Sequence, residues 1–217
     1  KRTVFNMLSR AASKYADKPY LSTKGDRGWI RTSFSEAEKK ARTLACAFVE
    51  IGLKKGDKVA ILSEAKTDWI VTEFAALFAG GISVPLSIKL LPEEVPFRVN
   101  HSDAALFAVS ENTLDKVISQ WKKYENKDLK LIVLDRPSDK IKNICQQHGF
   151  DARQLLFISD LYKLGEVNIE EHGPAVEALE NGTGENDVVT ISYTSGTTGN
   201  PKGIMLTHLN YYSNSHA

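Results

Sequence analysis

The sequence has little cysteine and no patterned cysteine pair. Its two cysteines, Cys46 and Cys145, are far apart and match neither the spacing of a zinc site nor that of a redox motif. A small secreted fold held together by disulfides is therefore disfavoured. Because Cys46 follows Leu44 and Ala45 in an apolar stretch, we expect a buried free thiol in a reducing compartment.

Long apolar runs and an excess of one charge are missing as well. The longest apolar run, FAALFAGGISVPLSI, is shorter than the ~20 residues that cross a bilayer, and glycines and a proline interrupt it. The 28 lysine and arginine residues nearly cancel the 27 aspartate and glutamate residues. The overall charge therefore favours neither nucleic acid nor an anionic membrane surface as a partner.

The beginning of the chain bears on its cellular location. It starts with Lys1 and shows no signal-peptide pattern. We expect an excised or processed product of a cytoplasmic protein. Any membrane association would be peripheral, since no segment resembles an amphipathic anchor.

The chain does contain a regular alternation of short apolar strands with helical patterns. The predicted strands are KVAILS, ISVPL, AALFAVS, KLIVLD and DVVTISY. Continuously apolar strands separated by helices are typical of a parallel sheet that helices cover on both faces. The sequence therefore predicts an α/β fold with a mostly parallel sheet.

Two local signals precede this alternation. The stretch YLSTKGDRGWIRTSF is typical of a β-hairpin with a turn built from Gly25, Asp26 and Gly28. Ser35, with Glu38 three residues further on, predicts a capping box at the start of a helix.

The chain divides into three predicted parts. Residues 1–164 form an α/β subdomain. Residues 165–186 are acidic, contain several glycines and lack periodicity, which predicts a long surface connection with one short helix at AVEALE. Residues 187–217 begin the next subdomain and carry a glycine-rich loop.

Two candidate binding residues have simpler structural interpretations. Trp121 lies at helical spacing from Leu114 and Val117, which indicates a core position rather than a stacking platform. His101 lies near the carboxyl end of a helix predicted from Pro92, which favours a capping or dipole role. No second metal ligand is spaced near it.

The stretch YTSGTTGNPKG, from Tyr193 to Gly203, is the strongest chemical signal. Several glycines can turn backbone N–H groups towards one point, and hydroxyls and a lysine add further donors for an anion. A solvated linker has a similar composition. The position between the predicted strands VVTISY and GIMLT and the single Lys202 favour a phosphate cradle instead.

Two common nucleotide motifs do not fit this stretch. The phosphate loop G-x-x-x-x-G-K-[ST] fails because Lys202 follows a proline and precedes Gly203 and a strand. The dinucleotide fingerprint G-x-G-x-x-G fails because Gly196, Gly199 and Gly203 have the wrong spacing.

The stretch YTSGTTGNPKGIMLTH closely resembles the phosphate-loop signature of the adenylate-forming superfamily, which contains acyl-CoA synthetases, luciferases and peptide-synthetase adenylation domains. The segment GDKVAILSEAKTDWIVTEFAALFAGGISVPL is similar to the amino-terminal core of that family. The segment LLPEEVPFRVNHSDAAL is similar to the helix and strand that follow this core. Among subfamilies, the combination most resembles bacterial long-chain fatty acid–CoA ligases.

This resemblance implies a ligase with ATP, Mg²⁺ and coenzyme A as cofactor and co-substrates. A carboxylate, most plausibly of a long-chain fatty acid, would attack the α-phosphate of ATP, and coenzyme A would then displace AMP. The resemblance assigns phosphate binding to the residues of the loop and places the first of them beside Mg²⁺. These residues are Thr194, Ser195, Gly196, Thr197, Thr198, Gly199 and Lys202. By the same comparison, His208 and Asn210 belong to the start of the next helix, with Thr207 as its N-cap.

The chain departs from the family in length, since members are more than twice as long. The adenine, ribose and magnesium motifs, most walls of the acyl pocket and the catalytic lysine of the family all lie downstream of this loop. The resemblance therefore implies an incomplete amino-terminal fragment with no catalytic residue of its own, and we expect no turnover by the 217-residue chain. Two alternatives stay open: adenylation of aryl, short-chain or amino acids, and a non-catalytic binding module with the same fold.

Overall fold

A computed structural model describes residues 1–25, 28–194 and 199–215 of the chain. The described helices are α1 (Val4–Tyr15), α2 (Phe34–Glu50), α3 (Thr67–Phe78), α4 (Val95–His101), α5 (Glu111–Ile118), α6 (Asp139–Gln147), α7 (Ile158–Val167), α8 (Ile169–Gly182) and α9 (His208–Ser215). The described strands are β1 (Pro19–Gly25), β2 (Gly28–Ser33), β3 (Lys58–Leu62), β4 (Ile82–Pro85), β5 (Ala104–Val109), β6 (Lys130–Val133), β7 (Leu155–Phe157), β8 (Val188–Thr194) and β9 (Lys202–Thr207). Short 3₁₀ turns lie at Pro92–Glu94, Trp121–Lys123 and Ala152–Gln154.

One large sheet contains β3 to β9, in the order β7-β6-β5-β3-β4-β8-β9. Neighbouring strands from β7 to β8 run parallel, and β9 runs antiparallel to β8. Parallel neighbours need a crossover connection, which explains the helices between these strands, whereas an antiparallel pair needs only a short loop. The predicted α/β fold with a mostly parallel sheet is confirmed.

The sheet separates two apolar cores, as strand β3 shows. Val59 and Ile61 face a core that α1, α2, α3 and α7 cover, and Ala60 and Leu62 face a second core beneath α4, α5 and α6. Both pairs are fully buried, because successive side chains of a strand point to opposite faces and helices cover both of them.

Both cysteines lie in these cores. Cys46 is buried in the first core and Cys145 in the second, and both are free. Burial raises the pKa of each thiol, because a thiolate is poorly solvated in apolar surroundings. The prediction of a buried free thiol is confirmed.

The predicted hairpin is also confirmed. Strands β1 and β2 pair antiparallel in a separate sheet, with Lys24 opposite Trp29. Gly28 has a φ of 129°, which favours glycine at this position. Asp26, predicted to belong to the turn, lies outside the described residues.

The helix after the hairpin begins earlier than predicted. Ser33 is the N-cap of α2: its hydroxyl accepts the N–H of Glu36 at 3.2 Å, and the Glu36 carboxylate accepts the N–H of Ser33 at 2.8 Å. The predicted box of Ser35 and Glu38 is therefore wrong by two residues. Glu38 instead binds Arg42 on the next turn of the helix.

The acidic stretch is more helical than predicted. Helix α8 covers Ile169–Gly182, where only a short helix at AVEALE was expected. Val176 buries its side chain against the first core, and Glu180 forms an ion pair with Arg42 of α2 at 2.8 Å. With one buried residue, the helix leaves almost no periodic apolar signal. The division at residues 164 and 186 stays a prediction.

Trp121 lies outside helix α5, in the 3₁₀ turn that follows it. It packs against the second core without being fully buried, and its ring meets the edge of Phe150 at 5.1 Å between centroids. Among the described helices, none is long and apolar enough to cross a bilayer.

Candidate phosphate-binding site

The glycine-rich loop connects two antiparallel strands. Thr194 is the last residue of β8 and Lys202 the first of β9, and the two are direct partners in the register of the pair. The predicted strand–loop–strand arrangement is therefore confirmed. Four of the predicted phosphate-binding residues lie outside the described residues, namely Ser195, Gly196, Thr197 and Thr198.

The described part of the loop has the backbone and charge that an anion site needs. Gly199 has a φ of 136°, a region that side chains disfavour. Lys202 is exposed, and its ammonium forms no hydrogen bond or ion pair with any residue that the structure describes. Thr194 is exposed on the opposite strand. An unpaired lysine beside a hydroxyl suits a phosphate oxygen.

Tyr193 fixes the end of β8 to a neighbouring helix. Its hydroxyl donates to the backbone oxygen of Arg98 at 3.2 Å and lies 2.9 Å from Nδ1 of His101. Both contacts are satisfied together when Nδ1 carries the proton and donates to the tyrosine. Partial burial raises the pKa of Tyr193, so its hydroxyl stays a donor.

The sequence analysis did not predict the contact between Tyr193 and His101. His101 does end α4, as expected, but its described partner is the Tyr193 hydroxyl rather than a helix carbonyl. The two residues are 92 positions apart, and no local pattern connects them. The sequence offered one signal, the tyrosine hydroxyl at the end of the predicted strand DVVTISY.

Gly203 allows the two strands to pack tightly beside the loop. It is the register partner of Tyr193, and a Cβ at this position would lie 2.9 Å from Cγ2 of Ile191 and 3.5 Å from the Tyr193 ring. An added Cβ would displace the Ile191 side chain, whereas its distance from the Tyr193 ring is an ordinary van der Waals contact. This glycine therefore serves close packing of the hairpin.

The far end of β9 is anchored by a helix cap and a buried histidine. Thr207 is the N-cap of α9, because its hydroxyl accepts the N–H of Asn210 at 3.3 Å while the Asn210 amide oxygen accepts the N–H of Thr207 at 2.8 Å. The predicted helix start is confirmed. His208 is 3% exposed and accepts the N–H of Val4 through Nδ1 at 3.1 Å. Desolvation lowers the pKa of His208 to about 4.

The described residues contain no group of three or more histidine, cysteine, aspartate or glutamate side chains that could hold a metal ion. The Thr194 hydroxyl is one oxygen ligand at most.

Comparisons with known proteins identify the family of the chain. The family described as "AMP-binding enzyme" matches residues 8–217, and the chain belongs to this family. Fatty acyl-CoA synthetase A of Dictyostelium discoideum is 33% identical over 196 residues, which are 88% of this chain and 26% of that protein. Long-chain-fatty-acid–CoA ligase of Salmonella typhimurium is 28% identical and covers 98% of this chain, which spans 38% of that ligase.

Solved structures share the fold. The A-PCP didomain of a carboxylic acid reductase from Segniliparus rugosus, in complex with AMP, matches with a TM-score of 0.75 and 20% identity, over 96% of this chain and 32% of that one. A fatty acyl-CoA synthetase of Mycobacterium tuberculosis matches with a TM-score of 0.68 and 19% identity, over 95% of this chain and 35% of that one. The chain thus spans well under half the length of these relatives.

Proposed function

We propose that the chain supplies the ATP phosphate-binding loop of a ligase that activates a carboxylic acid, with long-chain fatty acids as the substrate class. The acid forms an acyl-adenylate and pyrophosphate, and coenzyme A then takes the acyl group as a thioester while AMP leaves. One observation carries the proposal: Thr194 and Lys202 face each other across the mouth of the loop, and Lys202 has no partner among the described residues.

The chemistry of adenylation explains why such a loop is useful. When a carboxylate oxygen attacks the α-phosphorus, the bond to the bridging oxygen breaks and negative charge grows on the leaving pyrophosphate. Donors that are fixed before the reaction stabilise this charge without reorganising. We assign the β- and γ-phosphates to the loop from Thr194 to Gly199 and the neutralising cation to Lys202.

The preference for long-chain acids is supported by the sequence relatives, whose names describe fatty acyl substrates. The shared fold does not separate substrates, because an anthranilate ligase and a benzoate ligase match it as well. The loop binds only the phosphates that all these substrates require. Substrate choice therefore depends on parts of the enzyme beyond the loop.

A first experiment measures carboxylate-dependent ATP–pyrophosphate exchange by the complete gene product across acids of increasing chain length. Exchange that rises towards long-chain acids supports the proposal, whereas exchange restricted to acetate, benzoates or amino acids overturns the substrate class. Absence of exchange with every acid would favour a non-catalytic module.

A second experiment tests the loop itself. Lys202→Ala should slow the exchange by roughly 10²-fold, because one preorganised group facing the developing charge is lost. Lys142→Ala is the matched control, since Lys142 pairs with Asp139 on the surface of α6, and it should leave the exchange unchanged. Equal rates for both variants would remove the proposed role of Lys202.

A third experiment concerns the chain by itself. We expect no ATP-dependent thioester formation by the purified 217 residues, because the chain spans only part of the length of its relatives. Detectable thioester would refute this expectation.

A further inference from the structure

The hairpin of β1 and β2 exposes two large apolar side chains. Trp29 is 67% exposed and Ile30 is 62% exposed. Because they are consecutive in a strand, they point to opposite faces of the hairpin. Among the described strands, β2 pairs only with β1, in a two-stranded sheet separate from the main one, so its other edge is unpaired and a surface that approaches this edge meets both side chains.

Cations surround these side chains. Lys24 is the register partner of Trp29, and Arg31 follows two residues later in β2, so the three share one face of the hairpin. Across the ranges that the structure describes, neither cation forms a side-chain hydrogen bond or an ion pair. Their charges are therefore available to a partner.

A cavity of about 320 Å³ lies between β2 and α2. Ile30 lines it together with Arg31 and with Lys39 and Lys40 from α2. Two carboxylates, Glu36 and Glu166, also line it. Three cations therefore stand against two carboxylates around the cavity, which leaves one positive charge in excess.

The charge distribution along the chain reinforces this local excess. Residues 1–42 contain eleven lysine and arginine residues and only four aspartate and glutamate residues, although the whole chain has 28 and 27. The near-zero total therefore hides a basic amino-terminal region and an acidic remainder. Lys39 and Lys40 belong to this basic region and form no ion pair within the described chain.

We propose that the hairpin surface formed by Lys24, Trp29, Ile30, Arg31, Lys39 and Lys40 binds an anionic lipid bilayer. Tryptophan prefers the boundary between lipid headgroups and acyl chains, and an adjacent apolar residue can enter the same layer. Lysine and arginine at that depth meet lipid phosphates, and each contributes to the attraction. The combination of exposed apolar side chains with unpaired cations distinguishes this surface.

A second exposed apolar residue, Val167, shows that apolar exposure without nearby cations does not suit an anionic bilayer. Val167 at the end of α7 is 81% exposed, more than Trp29, but Glu170 and Glu171 follow it within four residues. An anionic bilayer would repel these carboxylates. Exposure alone therefore does not select a membrane-binding surface.

The inference goes beyond the proposed ligase chemistry, and its test requires no turnover. The complete gene product is mixed with vesicles of phosphatidylcholine, with or without about one-third phosphatidylglycerol, and the bound fraction is measured by sedimentation. We expect binding to the anionic vesicles that weakens with added salt. Trp29 fluorescence should shift to the blue on binding, and Trp29→Phe should lose the shift and keep most of the binding.

A matched pair of variants locates the surface. Lys39→Gln/Lys40→Gln should lower partitioning into anionic vesicles by roughly tenfold, because two cations leave the interface. Lys122→Gln/Lys123→Gln removes the same charge from two exposed lysines of a 3₁₀ turn and should change partitioning little. Trp29→Ser should weaken binding by several-fold.

Three results would overturn the proposal. The first is equal partitioning of the two double-lysine variants, and the second is equal binding to anionic and neutral vesicles. The third is absence of vesicle binding together with a dimer that Trp29→Ser dissociates in gel filtration, which would identify a second copy of the chain as the occupant. Loss of vesicle binding with intact ATP–pyrophosphate exchange would leave the proposed function standing.

Discussion

The hydroxyl of Tyr193 lies 2.9 Å from Nδ1 of His101, and this contact ties the strand before the glycine-rich loop to helix α4. The same hydroxyl reaches the backbone oxygen of Arg98 at 3.2 Å. Tyr193, which precedes Thr194, is thereby held by α4 as well as by its pairing with β9, the strand that follows the loop. This two-sided support positions the last residue of β8 opposite Lys202.

Tyr193→Phe should remove both contacts and keep the ring. We expect the free energy of unfolding to fall by about 1–2 kcal/mol, because each lost hydrogen bond contributes about 0.5–1.5 kcal/mol. In the complete gene product, the KM for ATP should rise more than kcat falls, since the tyrosine acts through the position of Thr194. Urea unfolding and exchange kinetics provide the two measurements.

Tyr211→Phe is the control for this variant, because the Tyr211 hydroxyl has no hydrogen-bond partner in the described ranges. Its stability and its KM for ATP should stay near those of the parent. A similar loss in both variants would show that the contacts of Tyr193 have no special importance.

Gly165 is the point at which α7 comes closest to α2. A Cβ at this position would lie 1.9 Å from the backbone oxygen of Thr43, so one of the helices would have to move. Gly165→Ala should therefore lower the free energy of unfolding by about 3 kcal/mol or more, despite the better helix propensity of alanine. Denaturant unfolding monitored by circular dichroism measures the change.

Gly182→Ala is the matched control, since Gly182 also lies in a helix, at the end of α8, but has no neighbour within 4 Å of an added Cβ and is not followed by a proline. Here alanine should stabilise the chain by up to about 1 kcal/mol. Changes of opposite sign in the free energy of unfolding of the two variants would confirm that close packing against α2 determines the effect at Gly165. A stable Gly165→Ala variant would contradict the close approach of the helices.

The buried His208 should make the chain sensitive to acid. Its pKa is lowered from 6.5 to about 4 by desolvation, so the unfolded chain binds this proton more readily than the folded chain. The stabilisation is complete above pH 6.5 and is lost as the pH falls through 4. It amounts to roughly 3–4 kcal/mol, since the shift spans about 2.5 pKa units and each unit corresponds to about 1.4 kcal/mol.

His208→Asn keeps an acceptor for the N–H of Val4 but cannot be protonated in this range. We expect this variant to unfold with a flatter dependence on pH between 6.5 and 4 than the parent. Glu73 and Asp68, whose pKa values burial raises, act in the opposite direction and are common to both proteins. Identical slopes would exclude His208 as the group responsible.

Much of the fold could be predicted because its signals are local. Continuous apolar strands such as KVAILS indicate burial on both faces, and Val59 and Ala60 indeed face different cores. The loop was recognised because its strand neighbours and Lys202 are contiguous in sequence. The N-cap Thr207 was predicted for the same reason.

The missed features depend on contacts between distant parts of the chain. Ser33 and Ser35 both have an acidic residue three positions on, and only the docking of the hairpin selects Ser33 as the cap of α2. Helix α8 is stabilised by Arg42, which is 138 residues away from Glu180. The bond between Tyr193 and His101 has the same non-local origin, so spacing alone does not reveal it.

Thr194 tests whether the mouth of the loop contacts the metal nucleotide, an expectation that rests on the proposed function. Thr194→Val keeps the shape and removes the oxygen. It should raise the Mg²⁺ concentration for half-maximal ATP–pyrophosphate exchange several-fold, a modest change because waters and phosphates supply most Mg²⁺ ligands. Thr194→Ser retains the hydroxyl and should behave like the parent. If Thr194→Val instead slows the exchange equally at every Mg²⁺ concentration, the hydroxyl binds phosphate beside Lys202 rather than the metal.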